Sequence, residues 1–266
     1  MSDRNLQRAS FLKSRRQRLT PEEVGLPRSP RRRVASLRRE DVAWLADVGV
    51  TWYTWLEQGR PIKIAAGTLG RVAAALRLDI SETEYLEKLV LTDHKDRPEW
   101  DAPVAKRVRL LVETYAAGYA FVMGPRWDIL AWNEPFGKLF ELCCRGTGAA
   151  ASLESNGLWL MFMHPRARSL FPDWAANARR MVATFRVEYA DYVGDAGFDD
   201  LIGTLGTSST EFTSMWGDVD VLSPMRWNVR EMRDPLSNET LAFETASFGI
   251  PDSPGQTLVF YIPSSR

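Results

Sequence analysis

Residues 92–103, TDHKDRPEWDAP, separate two stretches of chain that follow different periodicities. Polar side chains and two prolines leave this segment no apolar face for a helix or a strand, so it reads as a linker. Before it, apolar residues recur at helical spacing. After it, short strand-length apolar runs alternate with helical stretches. A chain built this way is α+β: an all-helical domain over 1–91, then an antiparallel sheet domain flanked by helices over 104–266. A length of 266 residues suits two modest domains, and a hydrophobic content of 45% can fill a core in each.

Five helices are predicted in the first part. Residues 5–19 make an amphipathic helix with Leu6, Phe11, Leu12 and Leu19 apolar. Residues 38–47, 49–58, 65–77 and 81–91 give the other four, separated by Gly59, Pro61 and Leu78-Asp79. Thr20-Pro21-Glu22-Glu23 is a capping box, Glu23 reaching back to the Thr20 amide, and it starts a short turn of helix that ends near Gly25. In the second part, strands are predicted at 119–123, 127–132, 225–232, 240–248 and 257–262. Helices are predicted at 134–142, 165–193, 197–206 and 208–217. The first two strands form a hairpin through Gly124-Pro125-Arg126. Alternation in WDILAWN puts Trp127, Ile129, Ala131 and Asn133 on one face, and Asp128, Leu130 and Trp132 on the other.

The net charge of zero hides a polarity. Residues 1–80 carry 16 Lys+Arg against 8 Asp+Glu, and the remainder carries 18 against 26. A cationic head on an anionic body suits a polyanionic partner at one end. The densest stretch is 28–39, RSPRRRVASLRR, six arginines with no acid, which favours nucleic acid over a merely solvated charge run. No apolar run is long enough to span a membrane, and the N-terminus has no signal-type apolar region, so a cytoplasmic protein is expected.

Catalytic and metal chemistry find little support. HExxH, CxxC, GxSxG and Walker patterns are all missing. Cys143 and Cys144 are adjacent and cannot build a disulfide framework; two reduced thiols are the simpler reading, a redox pair the alternative. Two histidines are too few for a histidine-based zinc site. His164, followed by Pro165, fits a helix-start residue better than an iron ligand. No cofactor and no enzymatic activity are expected.

The sharpest local signal is 39–60, REDVAWLADVGVTWYTWLEQGR. Two helices crossing at a tight turn need a small residue where backbones approach, here Ala43, and apolar residues facing inward, here Val42, Ala46, Val48, Tyr53 and Leu56. Gly49 is a tolerable N-cap for the second helix. Val50, Thr51, Trp52, Thr54 and Trp55 then face outward, where a major groove could be read. Thr51 and Thr54 suit polar base or phosphate contacts. Trp52 and Trp55 either reach thymine methyls and sugars or pack against other helices. Arg31, Arg32, Arg33, Arg38, Arg39, Arg60 and Lys63 would supply phosphate affinity without specifying sequence.

The stretch LRREDVAWLA followed by VTWYTWLEQGR resembles the helix-turn-helix of MmyB-like regulators, within the wider Cro/repressor, xenobiotic-response-element group. Leu56-Glu57-Gln58-Gly59 matches that group's usual helix end. Asp47 stands where the group usually has Gly, and Gly49 where it often has Ser, so the turn is expected to be slightly strained. The long basic insertion after the first helix is also typical of these proteins.

The resemblance continues through GYAFVMGPRWDILAWNE at 118–134 and WLMFMHPRARSLFPDWAANARRMVATFR at 159–186. It extends to Ser209, Glu211-Phe212 and Trp216, and covers about residues 5–263. It implies a PAS-like ligand-binding and dimerisation domain, an antiparallel sheet with helices around a small-molecule pocket. It further implies an apolar ligand such as a fatty acid. Trp132, Phe136, Phe140, Phe162, Trp174, Phe212 and Trp216 are the candidate lining residues, with core packing as the alternative for each; Asn133 and Arg168, with His164, could hold a polar head group. The expected protein is a homodimeric regulator of transcription that binds a roughly palindromic double-stranded operator and is modulated by that ligand. The alternatives are a constitutive DNA-binding regulator whose C-terminal domain only dimerises, and an enzyme with an autoregulatory DNA-binding head.

Overall fold

A computed structural model describes residues 3–27, 34–91, 102–140, 153–222, 229–233 and 238–264. Arg31, Arg32 and Arg33, Cys143 and Cys144, and most of the 92–103 linker lie outside the described residues. The chain forms two compact units. One comprises Met1–Lys95, Arg186–Asp199 and Asp218–Ser223; the other comprises Asp96–Phe185, Asp200–Gly217 and Pro224–Arg266.

In the first unit, five helices lie close to their predicted ranges: α1 (Asp3–Arg18), α2 (Arg39–Leu45), α3 (Val50–Glu57), α4 (Ala66–Ala75) and α5 (Ile80–Leu91). After α1, Thr20 donates from its amide and its hydroxyl to Glu23 Oε2, at 2.7 and 2.8 Å, and a 3₁₀ turn at Glu22–Val24 stops at Gly25 with φ 78°. Only half of the predicted capping box is formed: Glu23 reaches back to Thr20, but the Thr20 hydroxyl donates to that carboxylate and caps no amide, and Pro21 is the N-cap. A reciprocal box is made by Asp79 and Glu82, each side chain accepting the other's amide, at the start of α5. The core gathers Phe11, Leu12, Leu37, Val42, Tyr53, Leu56, Val72, Tyr85 and Leu86, all fully buried. Phe11 and Tyr85 meet edge to face with centroids 5.0 Å apart, which holds α1 on α5.

The second unit begins with α6 (Lys106–Thr114), continues through β1 (Tyr119–Met123), β2 (Ile129–Trp132), α7 (Glu134–Leu139), α8 (Gly157–Met163) and α9 (Ala167–Leu170), and ends with β3 (Val229–Arg233), β4 (Thr240–Gly249) and β5 (Thr257–Pro263). Three more helices lie between α9 and β3: α10 (Trp174–Tyr189), α11 (Ala196–Ser208) and α12 (Thr210–Gly217). The sheet order is β2-β1-β5-β4-β3 with every neighbouring pair antiparallel. The expected PAS-like α+β architecture is thus observed.

One sheet face is closed by α6: Val108 and Val112, one turn apart, pack with Ala120, Val122, Ala131 and Leu258. The other face carries Tyr119, Phe121, Trp132, Phe243 and Tyr261, since Tyr119 pairs with Tyr261, and Phe121 with both Trp132 and Val259. Gly118 sits where β5 comes closest. A Cβ there would lie 2.1 Å from the Tyr261 carbonyl oxygen, so only glycine fits.

Three sequence expectations need correction. The 165–193 helix is two helices, because Pro172 disfavours helical geometry at Phe171, which is extended at φ −107°, ψ 109°. Strict alternation through WDILAWN fails because the ladder slips between Val122 and Met123. Ala131 and Leu130 therefore both pack on the α6 side, while Trp132 and Ile129 pair with Phe121 and Met123. Trp127 is not in the strand. It turns at φ 67°, held by its amide on Gly124 O and by Gly157 N–H on its own carbonyl, at 2.9 and 2.8 Å. Helices α6 and α8 were not anticipated.

Candidate DNA-reading face and ligand-binding rings

The turn between α2 and α3 has the strain expected of it. Asp47 sits at φ 52°, a left-handed geometry that a side-chain-bearing residue adopts at a cost. Gly49 caps α3 from an extended conformation, φ −66° and ψ 137°, with no side chain to satisfy the first amides. On α3, Tyr53, Leu56 and Glu57 point inward. Val50, Thr51 and Trp55 are exposed, and Trp52 and Thr54 are half-buried.

What fixes α3 is a set of arginines from α1. Arg8 is buried and donates from Nε to Leu56 O at 3.3 Å and from Nη2 to Arg60 O at 2.9 Å, meeting carbonyls at the C-terminal end of the helix. Arg16 grips Glu57 with two hydrogen bonds, 2.6 and 2.8 Å, and Arg39 adds a third at 2.8 Å. Burial alone would push the Glu57 carboxyl up. The hydrogen bonds and charges of Arg16 and Arg39 outweigh it and hold the group below the ordinary carboxylate range. Arg71 Nε closes the end of α2 on Ala46 O at 2.9 Å.

Of the predicted phosphate contacts, Arg38, Arg60 and Lys63 are exposed. The Arg60 guanidinium lies 5.9 Å from the Trp55 ring centre. Arg39 is partly spent on Glu57. The structural use of Arg8 and Arg16 was missed. A mostly basic helix gives no sign of which cations turn inward.

The second unit holds two series of rings. In one, Phe121, Phe136, Phe140 and His164 follow one another at centroid distances of 4.6, 5.4 and 5.6 Å. In the other, Phe162 meets Trp174 at 5.7 Å and Phe212 at 5.3 Å, and Phe212 stacks on Trp216 at 5.7 Å. Trp216 continues to Phe185, and Phe185 to Trp127. Trp132 is half-buried on the sheet face that bears Phe121.

The polar candidates are largely committed to the fold. Asn133 is buried; its oxygen accepts the amides of Ala120 and Phe136, and its nitrogen donates to the carbonyls of Tyr115 and Gly118. It caps α7 and ties it to β1. Arg168 pairs with Glu211 at 2.5 Å and lies 4.0 Å over the Trp174 ring. His164 Nδ1 accepts the Arg166 amide at 3.3 Å, at the end of α8 and just before α9. A buried group missed from sequence is the Arg126–Asp128–Asn156 cluster. Arg126 chelates Asp128 at 2.8 and 3.1 Å, and Asn156 binds Arg126 O and Asp128 while capping α8.

Residues 104–266 match the family model of the MmyB-like transcription regulator ligand binding domain. The chain belongs to this family. A search of curated proteins finds no match. Within the family's domain, the matched span takes in the whole five-stranded sheet and both ring series. It also takes in residues 186–199 and 218–223, which fold with the first unit. Among the described residues no helix is long and apolar enough to cross a membrane, and no group of three or more His, Cys, Asp or Glu could hold a metal ion.

Proposed function

We propose that this MmyB-like regulator binds double-stranded DNA through α3 and tunes that binding through an apolar ligand in its C-terminal domain. The carrying observation is the presentation of α3. Its outer face bears Val50, Thr51, Trp52, Thr54 and Trp55 while its inner face and C-terminal end are fastened by Tyr53, Leu56, Arg8 and Arg16. A recognition helix must be rigid, because a contact to a base edge is worth little if the helix can rock. Thr51 and Thr54 read base edges, and Arg38, Arg60, Lys63 and the 31–33 arginines hold phosphates. Residues 1–91 carry the DNA-binding role, 92–103 the linker, and 104–266 ligand binding and dimerisation.

The ligand lodges among the two ring series, against the sheet face of Phe121 and Trp132. Its body is apolar because the lining is aromatic. A fatty acid fits that description. The regulator works as a homodimer on a roughly palindromic site, since one helix-turn-helix covers only a few base pairs.

Two measurements test this reading. Fluorescence anisotropy with labelled duplex across a salt series should give a steep salt dependence. Replacing Arg31, Arg32 and Arg33 with Ala should flatten the slope by roughly one unit per lost phosphate contact. An unchanged slope takes that segment out of the interface. Saturated fatty acids of increasing chain length should raise the melting temperature of the full chain; no shift with any of them removes the acyl ligand.

A further inference from the structure

The first compact unit is not made by the N-terminal residues alone. Arg4 of α1 donates to Lys88 O at 3.2 Å and to Ala190 O at 3.0 Å. Lys88 of α5 pairs with Asp191 at 2.6 Å. Arg15 is buried; it donates to Val219 O at 2.9 Å and lies 2.7 Å from Glu82. Arg18 pairs with Asp220. Arg186, among the largest fully buried side chains, donates to Asp220 O at 3.1 Å and hydrogen-bonds the Tyr85 hydroxyl. Tyr85 in turn packs on Phe11 of α1. Arg186, Ala190, Asp191, Val219 and Asp220 are therefore bonded to α1 and α5, and α1 in turn holds α3, although these residues belong to the span matched by the ligand-binding family model.

Three chain passages link this unit to the second, two of them from ring-bearing elements. Helix α10 carries Trp174 and Phe185, and its next residue is Arg186. Helix α11 begins in the first unit and continues past Asp199 into the second. Asp218 stands two residues after Trp216. A helix transmits displacement along its axis with little loss, because its hydrogen-bonded backbone bends far less readily than side chains reorient. Desolvation by burial disfavours the charge on Arg186, and Arg15 beside it repels it. Tyr85, Asp220 and Asp218 offset this, so the buried guanidinium keeps its charge only with these partners in place.

We infer that Arg186, with the segments 186–199 and 218–223, is the joint through which occupancy among the rings alters the DNA-reading helices. The inference rests on the proposed DNA and ligand roles. It says that α10, α11 and the residues after α12 are shared parts of both units, and that the coupling passes through Arg186 on Tyr85.

Coupling is reciprocal, so DNA can stand in for the unidentified ligand. The experiment is hydrogen exchange on the full chain, free and saturated with a duplex enriched from a random pool by binding to this protein. Anisotropy monitors binding in parallel. The expected result is that DNA slows exchange in residues 174–185 and 200–208 by about fivefold or more, the low end of ordinary allosteric coupling. In Arg186→Met that remote change should vanish while the effect on α3 remains. If Arg186→Met fails to fold, Lys88→Ala, which cuts the partly exposed link to Asp191, should diminish the remote change in the same way. Binding without any change in 174–185 and 200–208 overturns the joint and leaves the DNA reading standing. A remote change that persists in a folded Arg186→Met, or undiminished in Lys88→Ala where Arg186→Met does not fold, overturns the route. No binding to any duplex overturns the DNA reading, and the joint with it.

Discussion

Glu57, at the end of α3, accepts hydrogen bonds from Nε and Nη2 of Arg16 at 2.6 and 2.8 Å, and so clamps the proposed recognition helix to α1. The carboxylate side chain is almost fully buried, so its charge must be answered locally. Arg16 answers it, with Arg39 alongside.

Removing that carboxylate should loosen the head. Glu57→Gln keeps the shape but leaves Arg16 without its counter-charge, at a cost of about 3 kcal/mol. The pH dependence follows from the sign of the shift. The folded carboxyl is held below its unfolded value, so its stabilisation is complete above about pH 4.3 and fades as the pH falls through the folded value. Urea titrations of wild type and Glu57→Gln at pH 7 and in acid should converge as the pH falls. A constant gap would mean that Glu57 ionises the same way folded and unfolded.

Relieving the turn should stabilise the head. At Asp47, φ 52° costs an L-residue strain that glycine escapes, so Asp47→Gly should gain about 0.5–1 kcal/mol after glycine's own entropic cost. At Gly49 a Cβ meets nothing within 4 Å. Gly49→Ser should therefore gain about 0.5 kcal/mol by capping α3 and stiffening the unfolded chain. Thermal melts check both; a loss in either variant would contradict the turn geometry.

Ala131 lies among Val108, Val112, Ala120 and Val122 on the α6 side of the sheet, away from the face that bears Phe121 and Trp132. Ala131→Leu should overpack that side and cost about 1–3 kcal/mol. Fatty-acid uptake by the protein that still folds should be unchanged. A variant of wild-type stability that fails to take up fatty acid would place the proposed ligand on the α6 side instead.

Asn133 spends both ends of its amide on backbone partners. Asn133→Ala removes a helix cap and strands buried backbone groups, so about 3 kcal/mol or more should be lost. A melting temperature within a degree or two of wild type, together with weakened ligand binding, would instead make Asn133 a head-group contact.

Local signals in the sequence carried much of the fold. The hairpin turn at 124–126, the Thr20–Glu23 contact and the α2–α3 turn are each set by residues a few positions apart. What sequence reading missed depends on distant partners. Helix α6 escaped because Leu110 and Leu111 remain exposed and blur the stripe made by Val108 and Val112. The slip at Val122 depends on which residue of β2 pairs with which of β1. Arginines 8, 15, 16 and 186 read as surface charge, and only tertiary structure turns them inward. The ring residues were legible as a group, but their order of contact was not.

The most direct test of the central claim compares Thr51→Ala and Thr54→Ala with wild type on two duplexes, one enriched from a random pool and one of scrambled sequence. Anisotropy at fixed salt gives both affinities. If α3 reads bases, the loss should fall on the enriched duplex, about 1–3 kcal/mol for a useful base contact, with the scrambled duplex little affected. Equal weakening on both, or no enrichment of any sequence, would contradict the claim that this helix reads DNA.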